Sequence, residues 1–331
     1  MSASDFERRA RTRISGNETG GALLDYLAAR FTYHDRGQWL ELVEEGRLRV
    51  NERPAVPSTV LQQGDLVEFL VPEQSEPPVN RAYRIVFEDD VLLVVDKPPD
   101  LPCHPSGRYF RNTLWRLLNR RTGADAGVTL VHRIDRETSG LVLAVKARWA
   151  GSSLGRQFQK RRVFKRYRAM VEGAFPRTEV EARGFLAPDP ESAVRKRRRF
   201  TLQRPSGGAQ SRAEACHTRF RGLSVHGGIS LVEAVPLTGR LHQIRATLFG
   251  LGYPVVGDKI YGRDEGCFLR FIRGDLTAKD RHRLRLPRQA LHAAELRIAH
   301  PATGHPLRFF APMPEDMLGV LEFCGSPHLQ A

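Results

Sequence analysis

Two helical patterns and several strand-like runs open the chain. Four apolar residues recur at helical spacing, namely Leu23, Leu24, Leu27 and Phe31. A second helical pattern begins near Trp39 and ends near Gly46, and short apolar runs follow at residues 47–50 and 66–71. We therefore predict a small module of two helices and short strands over residues 20–71.

A proline-rich stretch separates this module from a much longer region. Residues 72–82 contain three prolines and few apolar side chains, which is typical of a linker. We predict a flexible N-terminus over residues 1–19, a large second domain over residues 83–318 and a C-terminal tail over residues 319–331.

The second domain mixes strand-like runs with a few helical patterns. The strand-like runs fall at residues 84–87, 91–95, 128–134, 141–145, 167–171 and 229–235. The helical patterns fall at residues 113–120, 149–159 and 242–249. Asp89-Asp90 predicts a hairpin turn between the first two strands. Because strands and helices do not alternate regularly, we predict an α+β fold with a mixed, largely antiparallel sheet.

Charge changes this picture more than overall composition does. The 331 residues include 41% hydrophobic and 27% charged positions, as in ordinary globular chains. However, 52 Lys and Arg residues against 37 Asp and Glu residues give a net charge of +15. A polyanion is therefore the expected partner, and we favour nucleic acid over an anionic membrane surface.

The cysteines and the N-terminus indicate the expected compartment. Four cysteines lie far apart without a C-x-x-C pair: Cys103, Cys216, Cys267 and Cys324. This spacing predicts neither a disulfide framework nor a metal site. The first residues lack the apolar stretch of a secretory signal, and no 18-residue apolar run follows. We expect a cytoplasmic protein that does not enter the membrane.

A polar loop between two apolar runs, at residues 129–145, is the first candidate for chemistry. Such a loop lifts reactive side chains to the rim of a rigid sheet. Asp135 is its candidate acid, and the neighbouring Arg133 and Arg136 could keep its carboxylate ionised. The alternative is a structural hairpin in which the polar side chains bind turn amides.

A second polar cluster spans residues 236–245, where a predicted strand leads into a helix. Arg245 lies near the start of that helix and could reach back towards the sheet rim. A solvated arginine is the alternative. His242 taken alone is more often a structural histidine than a catalyst.

Two basic runs could contact phosphates. Arg156–Arg168 contains seven basic residues without an acid and three interleaved aromatic residues, a combination suited to RNA backbone and bases. Arg195–Arg199 lies in a region without periodicity, so we predict a mobile loop there. A solvated charged surface is the alternative for both runs, but the net charge favours RNA contact.

An ordered series of motifs resembles the RluA-type pseudouridine synthases over residues 85–313. In chain order the motifs are Lys97-Pro98, His-Arg-Ile-Asp-x-x-Thr-Ser-Gly at 132–140, Lys165-x-Tyr167-x-Ala169-x-Val171-x-Gly173, Pro236-x-Thr238-Gly239-Arg240-x-His242-Gln243-Ile244-Arg245, Gly257-Asp258 with Tyr261-Gly262, and Leu291-His292-Ala293. The front module is similar to the small RNA-binding domain named after ribosomal protein S-four, with weaker matches at residues 46–51 and 64–65.

The resemblance implies a role for each matching residue. Asp135 matches the nucleophilic aspartate, Tyr167 the active-site tyrosine, and Arg245 the arginine that pairs with the aspartate. Arg133 matches a position that organises the flipped-out nucleotide. Further candidates for RNA or base contact are His132, Thr138, Lys165, Arg161, Arg162, Arg240 and His242. Departures from the family pattern are Ile134, Leu241 and Asp100, the last standing where glycine is usual.

By this resemblance we expect isomerisation of specific uridines in RNA, without a metal or another cofactor. Large-subunit ribosomal RNA is the favoured substrate, and transfer RNA is an alternative. A non-catalytic ribosome assembly factor and a glycosidase acting on free nucleosides are further alternatives, which the matching catalytic residues and the basic surface disfavour. We expect a monomer without an obligate protein partner.

Overall fold

The structure, a computed structural model, describes residues 8–31, 34–71, 76–107, 109–123, 127–205 and 212–325. The chain divides into two compact units, with the boundary between Ser75 and Glu76. We call residues 1–75 the front unit and residues 76–331 the rear unit.

The described residues of the front unit form two α-helices and four strands. In chain order they are β1 (Arg8–Arg13), α1 (Leu23–Arg30), α2 (Arg36–Glu44), β2 (Leu48–Val50), β3 (Arg53–Pro54) and β4 (Leu66–Val71). The antiparallel sheet has the order β1-β4-β2-β3. Leu23, Leu27 and Trp39 are buried in its core, as the helical spacing predicts. Asp35 begins α2 by accepting a hydrogen bond from the Gln38 amide at 2.8 Å.

The predicted flexible N-terminus is wrong from Arg8 onward. Strand β1 pairs with β4 along six residues, and Ile14, which follows β1, is buried. The Ile14 amide also donates to the Asp65 carbonyl at 2.9 Å. Four of the six residues in β1 are arginines, so backbone pairing forms a strand that has no apolar pattern.

The rear unit contains the remaining elements. In chain order they are β5 (Arg84–Glu88), β6 (Leu92–Lys97), α3 (Leu114–Thr122), β7 (Thr129–Leu130), β8 (Ser139–Val145), α4 (Arg148–Gln159), β9 (Phe164–Glu172), β10 (Val180–Pro188), β11 (Arg198–Thr201), β12 (Glu214–His226), β13 (Ile229–Pro236), α5 (Gln243–Gly250), α6 (Gly266–Arg273), α7 (Ala278–Leu284), β14 (Leu291–Ala299), β15 (Pro306–Phe310) and α8 (Glu315–Gly325).

One large sheet organises the rear unit and confirms the predicted α+β class. Within the described residues it has eleven strands in the order β11-β10-β12-β13-β9-β14-β8-β6-β5, with β15 beside β14 and β7 beside β8. Its strand pairs are antiparallel except β14 with β8. The predicted hairpin at Asp89-Asp90 joins β5 to β6.

Helices cover both faces of this sheet. Leu141 and Leu143 of β8 pack with α4 in one cluster, whereas Val142 and Ala144 pack with α3 in another. Because both faces of the sheet are covered here, every residue of β8 is buried. In a strand that is covered on one face only, buried apolar residues would alternate with polar ones. A third cluster joins β9 and β13 to α5 through Ile244.

Several predicted boundaries shift in the rear unit. The predicted linker at 72–82 ends at the unit boundary, because the Glu76 carboxylate accepts hydrogen bonds from three backbone amides, those of Phe110, Arg111 and Asn112. The predicted strand at 128–134 is reduced to the two residues of β7. Helix α8 continues through the predicted boundary at 318/319 to Gly325, because a buried Met317 anchors it in the core.

Candidate active site

A cleft of about 400 Å³ lies beside β9, β13 and the start of α5. The three residues predicted to be catalytic, Asp135, Tyr167 and Arg245, all line it. The structure also brings these predicted residues to the cleft: His132, Arg133, Thr138, Lys165, Arg240 and His242. Arg161 and Arg162 lie outside it and are exposed.

Three parts of the fold deliver the central residues to this cleft. Asp135 lies in the loop between β7 and β8. Tyr167 lies on β9, where it pairs with Ala234 of β13 on one side and Ala293 of β14 on the other. Arg245 lies in the first turn of α5, directly after β13. Because β8, β14, β9 and β13 are consecutive in the sheet, loop, strand and helix reach the same cleft.

Asp135 is anchored through one of its two carboxylate oxygens. Oδ2 accepts hydrogen bonds from Arg245 Nη1 at 2.7 Å and from Gln289 Nε2 at 3.2 Å. Burial alone would raise the pKa of this carboxyl, but the Arg245 guanidinium, His242 and the hydrogen bond from Gln289 together outweigh burial and lower the pKa to about 2. Asp135 is therefore ionised at neutral pH. Among the described residues no side chain or amide donates a hydrogen bond to Oδ1, so this oxygen remains available at the cleft that Asp135 lines.

A second carboxylate holds Arg245 from behind. The Arg245 guanidinium donates to both oxygens of Asp258, from Nε at 2.6 Å and from Nη2 at 2.8 Å. Asp258 also accepts hydrogen bonds from the Ile260 and Tyr261 amides. Such a two-pronged pair fixes the plane of the guanidinium, so Nη1 points at Asp135. This arrangement satisfies a charge that is otherwise costly to bury.

A buried lysine supports the loop that carries Asp135. Lys97 Nζ donates to the backbone carbonyls of Pro98 at 2.7 Å and Arg136 at 3.0 Å. Burial lowers the pKa of this amine to about 8, so it remains mostly protonated at neutral pH. The Cys103 thiol donates to the Ile134 carbonyl at 3.3 Å. The loop backbone is thus held on both sides of Asp135.

Tyr167 lines the cleft and presents a neutral phenol there. Burial raises the pKa of its hydroxyl above the ordinary value, and the nearby Asp135 carboxylate acts in the same direction. The ring packs against the apolar cluster that contains Ala293 and Ile134. Its position on a central strand makes it a rigid wall of the cleft.

The predicted partners of Asp135 in its own loop are wrong. Arg136 instead bonds the Tyr109 hydroxyl, pairs with Glu137 and Asp100, and stacks on Phe271. Arg133 is exposed at the cleft rim. Neighbouring residues along an extended loop point in different directions, so proximity in sequence did not identify the cation.

Some predicted contact residues are engaged with the protein itself. His132 Nε2 accepts a hydrogen bond from the Leu143 amide at 3.1 Å, and burial lowers the pKa of this imidazole to about 3. The buried Thr138 hydroxyl accepts from Gln289 Nε2 at 2.6 Å. Arg240 at the rim pairs with Glu214 at 3.0 Å. These residues shape the cleft, and Lys165 borders it with a pKa lowered by burial.

The two basic runs have mixed environments. In the first run, Arg166 and Arg168 form ion pairs with Glu233 on the sheet. In the second run the predicted mobile loop is wrong, because Arg197 and Arg199 pair with carboxylates and β11 begins at Arg198. Their partners are Asp189, Glu191 and Glu265.

Sequence reasoning missed several residues that hold the site together. Asp258, Tyr261 and Lys97 lie in motifs that were recognised but given no role, so their position in those motifs was the available signal. Gln289 lies two residues before β14 and carries no such signal. Within the described parts of the chain, no group of three or more His, Cys, Asp or Glu side chains is placed to hold a metal ion.

Comparisons with known proteins identify the family of this chain. The family model described as RNA pseudouridylate synthase matches residues 91–249, which include all three central residues. The ribosomal large subunit pseudouridine synthase D of Neisseria meningitidis is 31% identical over 327 residues, covering 97% of this chain and 83% of that protein. The chain belongs to the RNA pseudouridine synthase family. It is therefore an isomerase that converts uridine to pseudouridine in RNA.

Other relatives of this synthase differ in their named substrates. The mitochondrial tRNA pseudouridine(32) synthase of Saccharomyces cerevisiae is 35% identical over 243 residues, or 73% of this chain, and the match spans 51% of the yeast protein. Among solved structures, human RNA pseudouridylate synthase domain containing 1 aligns with a TM-score of 0.57 and 27% identity, covering 77% of this chain and 94% of that one.

In the parts of the synthase that the structure describes, no helix is long and apolar enough to span a membrane.

Proposed function

We propose that this pseudouridine synthase modifies large-subunit ribosomal RNA and that Asp135 is its catalytic carboxylate. The observation that carries the catalytic proposal is the ionised Asp135, anchored through Oδ2 and open to the cleft through Oδ1. The ribosomal target is supported by the relative from Neisseria meningitidis, whose match extends over 97% of the chain.

The reaction breaks the N1–C1′ bond of uridine, rotates the uracil and joins its C5 atom to C1′. In one course, Asp135 Oδ1 attacks C1′ and uracil leaves with the N1–C1′ electron pair. After rotation, C5 attacks C1′ and displaces the carboxylate, C5 loses its proton, and N1 gains one. In a second course, Asp135 takes the proton from C2′ and uracil leaves with the N1–C1′ electron pair, so that a C1′=C2′ glycal forms. After rotation, C5 bonds to C1′, C2′ regains the proton from Asp135, C5 loses its proton and N1 gains one. Both courses place the same oxygen at the ribose.

Arg245 and Tyr167 serve this carboxylate in different ways. Arg245 keeps Asp135 ionised and aimed, since a charge-assisted hydrogen bond is strong in a site with little water. Tyr167 stacks on the uracil and retains it while it rotates. Because its phenol stays neutral, it does not repel the uracil anion.

RNA binding supplies the free energy for extruding the target nucleotide. Removing a base from a helical stack costs a few kcal/mol, which contacts to the RNA backbone must offset. Arg133 at the rim and the exposed Arg161 and Arg162 are the side chains we assign to these contacts. The front unit, with its two helices and small sheet, acts as an S-four-like RNA-binding module.

Mapping pseudouridines in cells tests the proposed target. Carbodiimide-dependent primer extension would compare ribosomal and transfer RNA from a strain that lacks the gene and from strains complemented with wild type or Asp135→Asn. We expect one or more sites in large-subunit ribosomal RNA that only wild type restores. Loss confined to transfer RNA would overturn the ribosomal target and support the alternative suggested by the yeast relative.

A further inference from the structure

His242 combines an unusual backbone with a nearly buried side chain at the cleft. Its φ of 55° and ψ of 21° place it in the left-handed region immediately before α5. Only 7% of its side chain is exposed, and that side chain lines the cleft. Left-handed conformations are unfavourable for residues other than glycine and often occur at functional sites. The backbone thus adopts a left-handed conformation at the residue whose imidazole lines the cleft.

Tyr261 determines which nitrogen of this imidazole carries a proton. The Arg198 backbone amide donates to the Tyr261 hydroxyl oxygen at 2.9 Å. The single hydroxyl proton is then available for His242 Nδ1, which lies 3.1 Å away. With Nδ1 as the acceptor of this proton, the proton of a neutral imidazole resides on Nε2.

The imidazole is neutral at physiological pH. Burial lowers the pKa of His242 to about 4, and the neighbouring Arg245 guanidinium acts in the same direction. The Tyr261 ring is itself held by Arg197, whose guanidinium lies 5.8 Å from the ring centre and pairs with Glu265 at 2.6 Å. The basic run at 195–199 thus supports the site from behind.

The Nε2 atom of His242 lies beside the free oxygen of Asp135. The distance from His242 Nε2 to Asp135 Oδ1 is 4.0 Å, whereas Arg245 and Gln289 both bond Oδ2. In either course of the reaction Oδ1 acts at the ribose. A hydrogen-bond donor at His242 Nε2, 4.0 Å from Oδ1, therefore lies close to the same sugar. The 2′-hydroxyl is attached to the carbon next to C1′ and can accept such a hydrogen bond.

We propose that the neutral His242 is a further substrate-binding residue, which donates a hydrogen bond from Nε2 to the ribose 2′-hydroxyl of the target uridine. Tyr261 is the positioning residue that keeps the proton on Nε2. The 2′-hydroxyl distinguishes RNA from DNA, so this contact also makes His242 a determinant of specificity for RNA. The inference rests on the proposed role of Asp135.

Three variants separate the donor from the shape of the side chain. His242→Gln keeps an N–H donor at about the same distance from the backbone as Nε2. His242→Leu removes the donor, and both variants must adopt the same left-handed backbone at this position. Tyr261→Phe removes only the hydroxyl. On the ribosomal RNA fragment that contains the mapped uridine, we expect His242→Leu to lower kcat/KM roughly 10- to 100-fold. His242→Gln should recover most of that loss, and Tyr261→Phe should fall between them.

A substrate change completes the test. The same fragment with 2′-deoxyuridine at the target position lacks the proposed acceptor. We expect His242→Leu to cause no further loss with this substrate, because the contact is already absent. Equal activity of His242→Leu and wild type on the all-RNA fragment would overturn the proposal. So would an undiminished His242→Leu defect on the deoxy substrate.

A spectroscopic readout keeps this proposal distinct from the function of Asp135. Nitrogen-15 NMR of the free enzyme should show His242 as the Nε2–H tautomer at neutral pH and a changed tautomer balance in Tyr261→Phe. A protonated or Nδ1–H imidazole in wild type would overturn the inference even if turnover depends on Asp135. Conversely, full turnover by Asp135→Asn would refute the proposed function and leave the tautomer measurement intact.

Discussion

The charge state of Asp135 depends on one cation 110 positions away in sequence. Arg245 Nη1 lies 2.7 Å from Asp135 Oδ2, and Asp258 fixes the opposite side of the guanidinium. Without that cation, burial would favour the protonated carboxylic acid. The electrostatics of the site therefore rest on the placement of α5 against the loop between β7 and β8.

Replacing Arg245 should shift the pH dependence of turnover. In wild type the pKa of Asp135 is lowered to about 2. Protonation of this residue should therefore not reduce kcat/KM above about pH 4, so it contributes no acid limb to the pH profile there. In Arg245→Met, burial is opposed only by His242 and the Gln289 hydrogen bond, so that pKa rises and the acid limb of kcat/KM moves towards neutral pH. We also expect turnover at pH 7 to fall on the order of 10²-fold. An unchanged pH profile in a folded variant, checked by circular dichroism, would contradict this account.

The same lowered pKa predicts how stability changes with acid. Since Asp135 has a lower pKa in the folded state than in the unfolded chain, its stabilising contribution is complete above about pH 4 and is lost as the pH falls towards 2. Asp135→Asn should therefore flatten the pH dependence of the unfolding free energy in this window. Urea titrations between pH 2 and pH 5 would measure it, and an unaltered slope would show that the carboxyl is not paired.

At the residue scale, the motifs predicted which residues share a cleft better than they predicted the hydrogen-bond partners of Asp135. Asp135, Tyr167 and Arg245 do share a cleft. The prediction that a neighbouring arginine in the loop keeps Asp135 ionised was wrong, because Arg136 contacts Tyr109 and Phe271 instead. Asp100, which replaces a usual glycine, adopts a φ of 55°, so this position requires a left-handed backbone that aspartate tolerates.

At the element scale, the junction between β8 and β14 depends on Gly140. Its φ of 107° is unfavourable for other residues, and an added Cβ atom would lie 2.3 Å from the backbone oxygen of Ala293. The parallel pairing of these strands, His292 with Ser139 and Ala293 with Gly140, brings the backbones this close. The loop that carries Asp135 ends at this contact.

We therefore expect Gly140→Ala to destabilise the rear unit by roughly 3 kcal/mol or more and to displace the loop that carries Asp135. Gly155→Ala is the matched control, because Gly155 lies within α4 and its added Cβ would meet nothing within 4 Å. The control should gain up to about 1 kcal/mol from the better helix propensity of alanine. Thermal unfolding measures both, and equal stabilities would contradict the close approach.

Elements with ordinary hydrophobic patterns could be predicted, whereas others could not. The buried runs of β6 and β8 and the spacing of α4 were apparent in sequence. Strand β14, LHAAELRIA, was not, since its Leu, Ala and Glu residues favour a helix. Pairing with β9, β15 and β8 imposes its extended backbone. Strand β12 has alternating burial, but the polar Thr218 is one of its buried positions.

At the scale of the whole molecule, the unit boundary predicts where the chain can be divided. A fragment of residues 76–331 keeps the Glu76 carboxylate and its three amide donors, whereas a fragment of residues 83–331 loses them. We expect the shorter fragment to be less stable by roughly 3 kcal/mol. This corresponds to a Tm lower by about 6–12 °C for a domain of this size. Equal Tm values would contradict the observed boundary.

The net charge of +15 predicts that RNA binding weakens as the salt concentration rises. Each arginine that contacts a phosphate contributes to the slope of this salt dependence. Arg161→Gln/Arg162→Gln should weaken binding to all RNA sequences and reduce the slope of log K against log salt concentration by roughly 1 to 2. Arg161→Lys/Arg162→Lys keeps both charges and should preserve the slope. Filter binding at several salt concentrations tests this, and identical slopes for Gln and wild type would exclude both residues from the RNA interface.

The central claim is tested most directly by one comparison of purified wild type and Asp135→Asn. Pseudouridine formed in unmodified large-subunit ribosomal RNA would be quantified alongside the RNA affinity of each protein. The substitution preserves side-chain shape, and Asp258 still pairs with Arg245, so the variant should fold and bind RNA like wild type. We predict full turnover by wild type and none by Asp135→Asn. Pseudouridine formation by the variant at the wild-type rate would contradict the role of Asp135.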